Sequence, residues 1–154
     1  MAAAAPGLEY VARIVVEVGT PIDLGRAPRG HSRIVPITGG SFVGPGLRGR
    51  VVPGGADNQL LVTDTLTELD AQYALETDDG AMIGVRNVGL RAGSPADIAA
   101  LVAGRAVAPD RIRFHTMPRF TTADPGLGWL NDRLFVARGV RRPTAVELEV
   151  FSVT

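Results

Sequence analysis

LTELDAQYALETDDGAMIGVRNV, residues 66–88, is the stretch whose reading decides the fold. Leu69, Ala71, Tyr73 and Leu75 alternate with Glu68, Asp70 and Gln72, the period of two that a half-buried strand requires. Asp78-Asp79-Gly80 then interrupts the pattern, and glycine supplies the positive φ of a tight hairpin turn at little cost. A second apolar run follows over 80–88. The stretch is therefore an antiparallel hairpin, and counting back from its turn sets Arg86 near Gln72 and Tyr73.

Working outward, the same punctuation recurs. Tyr10, Ala12, Ile14, Val16 and Val18 share one face of an N-terminal strand, with Glu9, Arg13 and Glu17 on the other. Further strands are predicted over 31–37, 41–43, 47–53, 58–63, 66–77, 110–117, 133–140 and 145–153, separated by turns such as Arg141-Arg142-Pro143-Thr144. The 19 glycines and 11 prolines fall between these segments. One helix breaks the series, at about 94–103. Ser94 is a good N-cap, Pro95 suits the first helical position, Asp97 sits where a capping carboxylate would, and Gly104 can end it. So many short strands have an edge problem that closure solves. The expectation is all-β: a single antiparallel β-barrel of about 8–10 strands with one short helix. Residues 1–7 are expected to be a disordered tail and 8–154 one barrel domain.

Composition narrows the chemistry. Sixteen basic residues balance sixteen acidic ones in the 154-residue chain, which gives no electrostatic footprint for nucleic acid or an anionic membrane. Every basic residue is arginine, so lysine Schiff bases and Walker-type phosphate loops are excluded. With no cysteine there are no thiol nucleophiles, disulfides or iron–sulfur clusters, and two histidines, His31 and His115, are few for a metal site. No metal and no cofactor are expected. No apolar run approaches the roughly 18–20 residues of a membrane-spanning helix, and the N-terminus lacks a cationic, apolar leader, so a cytoplasmic location is expected.

Several groups are candidates for chemistry. Glu68 and Asp70 lie at i, i+2 on one strand face, where paired carboxylates push their pKa values apart and supply an acid and a base at one pH; a solvated strand face is the alternative. Arg86, across the hairpin, could hold a carboxylate or an oxyanion, or form an ordinary cross-strand ion pair. Asp57 follows the flexible Pro53-Gly54-Gly55 loop and is a turn residue or a further acid–base group. His115 shares a face with Arg111 and Arg113 and could move protons near neutral pH, though a lone histidine is more often structural. His31 reads as a loop residue. Arg119, Phe120, Trp129 and Asn131 place aromatic and polar groups near a barrel rim. Gly44-Pro45-Gly46-Leu47-Arg48-Gly49 spells GxGxxG, but a strand rather than a helix follows, so it reads as a hairpin or bulge and not a dinucleotide loop.

Taken together, Gly39-Gly40-Ser41-Phe42 with GPGLRGRVVPGGAD, then ELDAQYALETDDGAMIGVRNVG, MPRF and WLNDRLFVARG resemble uncharacterised protein family 0311 (UPF0311), also called domain of unknown function 3237 (DUF3237). The resemblance runs in consistent order from about residue 8 to 152. It implies a small, self-associating β-barrel, a homodimer or higher homo-oligomer. For members in natural-product pathways it implies cofactor-independent cyclases or related acid–base catalysts on phenolic or polyketide substrates. The family's shared polar and aromatic positions fall on Asp57, Glu68, Asp70, Tyr73, Arg86, Asn87, Arg119, Phe120, Trp129 and Asn131. Asn58 departs from the pattern, standing where an aromatic is expected after GGAD, and Gly84 and Val88 are small for their places.

The leading expectation is thus a cofactor-free enzyme of cyclase, isomerase or dehydratase type, acting on a phenolic or polyketide-like ligand in the barrel. Asp70, helped by Glu68 or Asp57, would take the proton. Arg86, with Tyr73 or His115, would stabilise the anion formed. Asn58, Asn87, Arg119, Phe120, Trp129 and Asn131 would bind substrate. The alternatives are a non-catalytic, lipocalin-like small-molecule binder and a structural subunit whose lumen is filled by side chains.

Overall fold

A computed structural model describes residues 2–154. Nine strands are present: β1 (Leu8–Val18), β2 (Ile22–Ala27), β3 (Gly30–Gly44), β4 (Leu47–Leu61), β5 (Leu66–Thr77), β6 (Met82–Ala92), β7 (Arg113–Thr122), β8 (Phe135–Arg141) and β9 (Ala145–Val153). All neighbours are antiparallel, in the order β1-β9-β8-β7-β6-β5-β4-β3, and β3 returns to β1. Eight strands therefore close a barrel. The ninth, β2, hangs outside the closure, paired to residues 30–34 of β3 on the edge whose 37–43 portion pairs with β1. Gly7 and Thr154 exchange backbone hydrogen bonds, tying the start of β1 to the end of β9.

Two pairs of expected strands are single strands. Residues 31–37 and 41–43 merge in β3, and 47–53 and 58–63 merge in β4, because the glycines between them bend the strand instead of ending it. Gly40 shows why: its φ is +133°, and a Cβ there would lie 1.9 Å from the carbonyl oxygen of Val15. Only glycine lets β3 approach β1 so closely. In β4 the register with β5 breaks between Val52 and Ala56, around Gly54. The Gly44–Leu47 connection is a hairpin turn, as the reading of the GxGxxG letters required. Two expectations need correction. His31 lies within β3 rather than in a loop, its Nε2 2.6 Å from the Asp23 carboxylate. Asp110 and Arg111, the first residues of the strand expected over 110–117, belong instead to a 3₁₀ turn, Pro109–Arg111, ahead of β7.

The helix, α1 (Pro95–Val102), begins as its sequence dictates: the Ser94 hydroxyl accepts from the Asp97 amide at 3.1 Å. Its Ile98 and Leu101 are buried. The carbonyl of its last residue, Val102, accepts from the Arg33 guanidinium at 3.2 Å, so α1 is fastened across the barrel end where Arg33 lies. No helix is long and apolar enough to cross a membrane among the described residues.

The lumen is the core. Ile14, Val51, Ile83, Leu130 and Val150 are among its most buried members, and each such side chain contributes about 1.5–3 kcal/mol of transfer free energy. One wall is thin. β7 and β8 share only two paired positions, His115 with Arg138 and Thr116 with Ala137, where the other barrel neighbours run alongside each other for six to eleven. Beyond Thr116 the strands part, and the Pro125–Asn131 segment, two short 3₁₀ turns joined at Leu127, fills in beside them. Asn131 secures it through hydrogen bonds with the backbone amide and carbonyl of Thr122, at 2.8 and 3.0 Å.

Candidate functional site

Strand phase sorts the candidate residues into two sets. On β5 the apolar face, Leu69, Ala71, Tyr73 and Leu75, points into the lumen, so Glu68, Asp70 and Gln72 point out. The Arg86 guanidinium makes two bonds to the Asp70 carboxylate, at 3.1 and 3.2 Å, on that outer surface. This corrects the expectation for three of the four expected catalytic residues. Glu68, Asp70 and Arg86 do not line an internal pocket: Asp70 and Arg86 form the cross-strand ion pair, and Glu68 lies on the solvated strand face, that were the alternative readings.

The same phase exposes Asn58, which faces Asp70 in register, and His115 and Arg119 on the outer face of β7. These three also fall outside any internal pocket. Asn131 is engaged in holding the 3₁₀ segment. Trp129 is half-buried against the core, its ring 6.3 Å from that of Phe135 and stacked under Arg133.

What turns inward is Asp57, Tyr73, Asn87 and Phe120, the last packed edge-on against Phe135 with 5.0 Å between ring centres. Sequence reasoning missed their polar neighbours Arg33, Gln59, Thr67, Arg91 and Thr116, all buried. A signal for them existed. Extending the lumen phase of Ile83 and Val85 by steps of two along β6 reaches Asn87, Gly89 and Arg91. The presumption that arginine faces water concealed it.

A chain of hydrogen bonds links these groups. Arg33 donates from Nη1 to Val102 and from Nε to the Gln59 amide oxygen at 2.8 Å. Gln59 donates in turn to Asp57 Oδ2 at 2.9 Å, and the backbone amide of Asp70 donates to Asp57 Oδ1 at 3.2 Å. Asp57 is thereby fixed in orientation from both sides. Burial pushes its pKa above the usual carboxylate value, opposed by the Gln59 bond, the charge of Arg91, the Asp70 amide and the charge of Arg33. Burial also raises the Tyr73 phenol, with Asp57 adding to the rise. It lowers the Arg91 guanidinium to about 10, against the pull of Asp57.

Asp57, Tyr73, Asn87 and Thr116 meet at a cavity of about 40 Å³ inside the barrel, whose other walls are apolar, including Ile37, Leu69, Phe114 and Leu148. The Tyr73 hydroxyl, the Asn87 amide oxygen and the Thr116 hydroxyl are buried with no hydrogen-bond partner among the described residues. A larger cleft, about 710 Å³, lies at the β3–β4 and β5–β6 turns, but none of the candidate residues lines it. Among the described residues no three His, Asp or Glu side chains converge as a metal site would need.

This arrangement can be set beside known proteins. The model of the DUF3237 family, described as protein of unknown function, matches residues 6–153. A UPF0311 protein of Rhodopseudomonas palustris is 42% identical over 150 residues, covering 96% of this chain and 98% of the relative. The crystal structure of a conserved R. palustris protein of unknown function superposes with a TM-score of 0.93 at 39% identity, covering 99% of this chain and all of that one. A protein from Penicillium herquei, described as an enzyme, shares the fold with a TM-score of 0.75 at 20% identity, covering all of this chain and 98% of that one.

Proposed function

The chain belongs to the DUF3237 (UPF0311) family, and from that premise we propose that it is a cofactor-independent acid–base enzyme of cyclase, isomerase or dehydratase type. Its substrate is a phenolic or polyketide-like small molecule, and its acid–base group is Asp57. One observation carries the reading: a partly buried carboxylate of raised pKa opens on an internal cavity beside a phenol and an amide oxygen that the fold leaves unpartnered. Catalytic carboxylates are tuned in this way, by burial, toward the pH at which they work.

In the proposed cycle the Asp57 carboxylate takes a proton from a hydroxyl or an acidic carbon of the substrate. The Tyr73 hydroxyl donates to the oxygen on which negative charge collects, and the Asn87 amide oxygen accepts from a substrate hydroxyl. Bond formation or elimination follows, and Asp57 returns the proton to the product or to the leaving group. Acid–base work of this kind contributes about 10²–10⁴ in rate. Phe114 and Tyr73 supply aromatic surface for a ring. The cavity of about 40 Å³ is smaller than the roughly 300–1,000 Å³ of an ordinary ligand pocket, so a ring enters only as the lumen widens, and the thin β7–β8 wall is where widening breaks fewest strand pairs.

The test is a panel of phenolic, quinone and polyketide-like compounds, followed by Trp129 fluorescence and mass spectrometry. The expected result is a compound that binds and is converted, with conversion lost and binding kept in Asp57→Asn. A compound that binds tightly and returns unchanged makes the protein a carrier and overturns the proposal.

A further inference from the structure

The interior of this barrel holds an unbalanced charge. Arg33 and Arg91, 5% and 1% exposed, and the partly buried Arg141 meet a single internal carboxylate, Asp57. None of the four takes part in an ion pair among the described residues. Arg141 is occupied, its Nη1 donating to the backbone carbonyls of Arg142 and Ala145. Arg33 is occupied only at Nε and Nη1, by Gln59 and Val102. Arg33 Nη2 and Arg91 Nε and Nη1 are buried with no acceptor among the described residues.

A buried guanidinium with idle N–H groups is costly, because water's hydrogen bonds have been removed and nothing has replaced them. A barrel that needed only stability would have an apolar side chain at these positions. The place of the charges is also specific. The Arg91 guanidinium lies 5.4 Å above the centre of the Phe114 ring, and the same ring lines the cavity on which Asp57 opens. Cation and cavity share one wall.

We propose that Arg91 and Arg33 form an internal anion site that binds the carboxylate of a small organic acid, whose carbon body occupies the adjoining cavity. Guanidiniums hold planar carboxylates through paired charge-assisted hydrogen bonds, and three idle donor atoms from two arginines match a carboxylate's acceptor capacity. Phe114 keeps the Arg91 head in place and packs on the ligand body. This deepens the acid–base reading and rests on it for what happens after binding: an anchored carboxylate sets the rest of the molecule against Asp57.

Binding is tested apart from turnover. Calorimetric titration compares benzoate with its neutral isostere benzamide and with inorganic phosphate, on the unaltered protein, Arg91→Gln, Arg33→Gln and Asp57→Asn. Benzoate is expected to bind at least tenfold more tightly than benzamide, to lose at least tenfold in either arginine variant, and to keep or gain affinity in Asp57→Asn. Equal affinity for benzoate and benzamide overturns the site, and so does binding of phosphate without benzoate. Should an arginine variant fail to fold, the benzoate–benzamide comparison on the unaltered protein decides alone. Benzoate binding without any conversion by the protein would leave the anion site standing and remove the catalytic reading.

Discussion

Gly139→Ala tests whether the lumen is packed as tightly as its side chains indicate. Gly139 lies on β8 with Phe114 directly over it: a Cβ added there would stand 2.7 Å from three carbons of the ring. Carbon atoms settle at about 3.5–4.0 Å, so the intrusion is close to 1 Å. The ring has little room to retreat, being 5% exposed with the Arg91 guanidinium on it. Overpacking of this kind costs about 1–3 kcal/mol, and in a domain of this size each kcal/mol lowers Tm by about 2–4 °C. Calorimetry should therefore show Gly139→Ala melting roughly 2–12 °C below the parent. A companion substitution makes the reasoning sharper. Phe114→Leu removes the atoms that clash, so the double variant should be more stable than the sum of the single losses by about 1 kcal/mol or more. An unchanged Tm in Gly139→Ala, or strict additivity in the double variant, would refute the packing argument.

Two further predictions address the charged groups. Because burial raises the Asp57 pKa, the folded protein binds that proton more tightly than the unfolded chain does; the stability it contributes is present below the ordinary carboxylate range and is lost as pH rises through the raised value. Urea unfolding at stepped pH should show this loss in the parent and a flatter profile in Asp57→Asn, and parallel profiles would contradict it. Asp70→Asn, by contrast, removes only an exposed partner of Arg86 and keeps the backbone amide that serves Asp57. Its Tm and any conversion the protein carries out should match the parent, and loss of conversion with the fold intact would put the chemistry on the outer surface.

The elements that announce themselves do so through local patterns. Alternation across residues 66–88 and from Ala12 to Val18 gives strands whose inner faces are correct, although Tyr10, expected on the inner face, is exposed because the register of β1 with β9 shifts between Tyr10 and Ala12. Ser94, Pro95 and Asp97 mark a helix start that the Ser94–Asp97 bond realises. β2 was illegible, since Ile22–Ala27 is exposed almost throughout and pairs on one side only. Gly39, Gly40 and Gly54 read as strand ends because the same freedom serves a bend and a turn, and only the partner strand decides which. The site was half legible for a related reason. Asp57, Tyr73 and Asn87 were found, but the weight fell on Glu68, Asp70 and Arg86, which are close in sequence and in space yet on the solvent side. Alternation separates two faces without saying which one a ligand meets. Arg33 and Arg91 were hidden because a charged side chain is presumed to be outside, and only closure of the barrel, with strand phase carried from Val85 to Arg91, places them within.

The weak join between β7 and β8 has a consequence for what this architecture can accommodate. On the proposed function, a wall held by two paired positions would part without unzipping a whole strand, and the size of guest would follow how far the wall parts and not the volume enclosed at rest. Since the Pro125–Asn131 segment sits at that join, fastened through Asn131 and Thr122, its length and composition would on that reading act as a tolerance setting. Relatives that share this barrel could diverge in preference by rewriting one short connection while every strand, and the inward acid, stayed as they are.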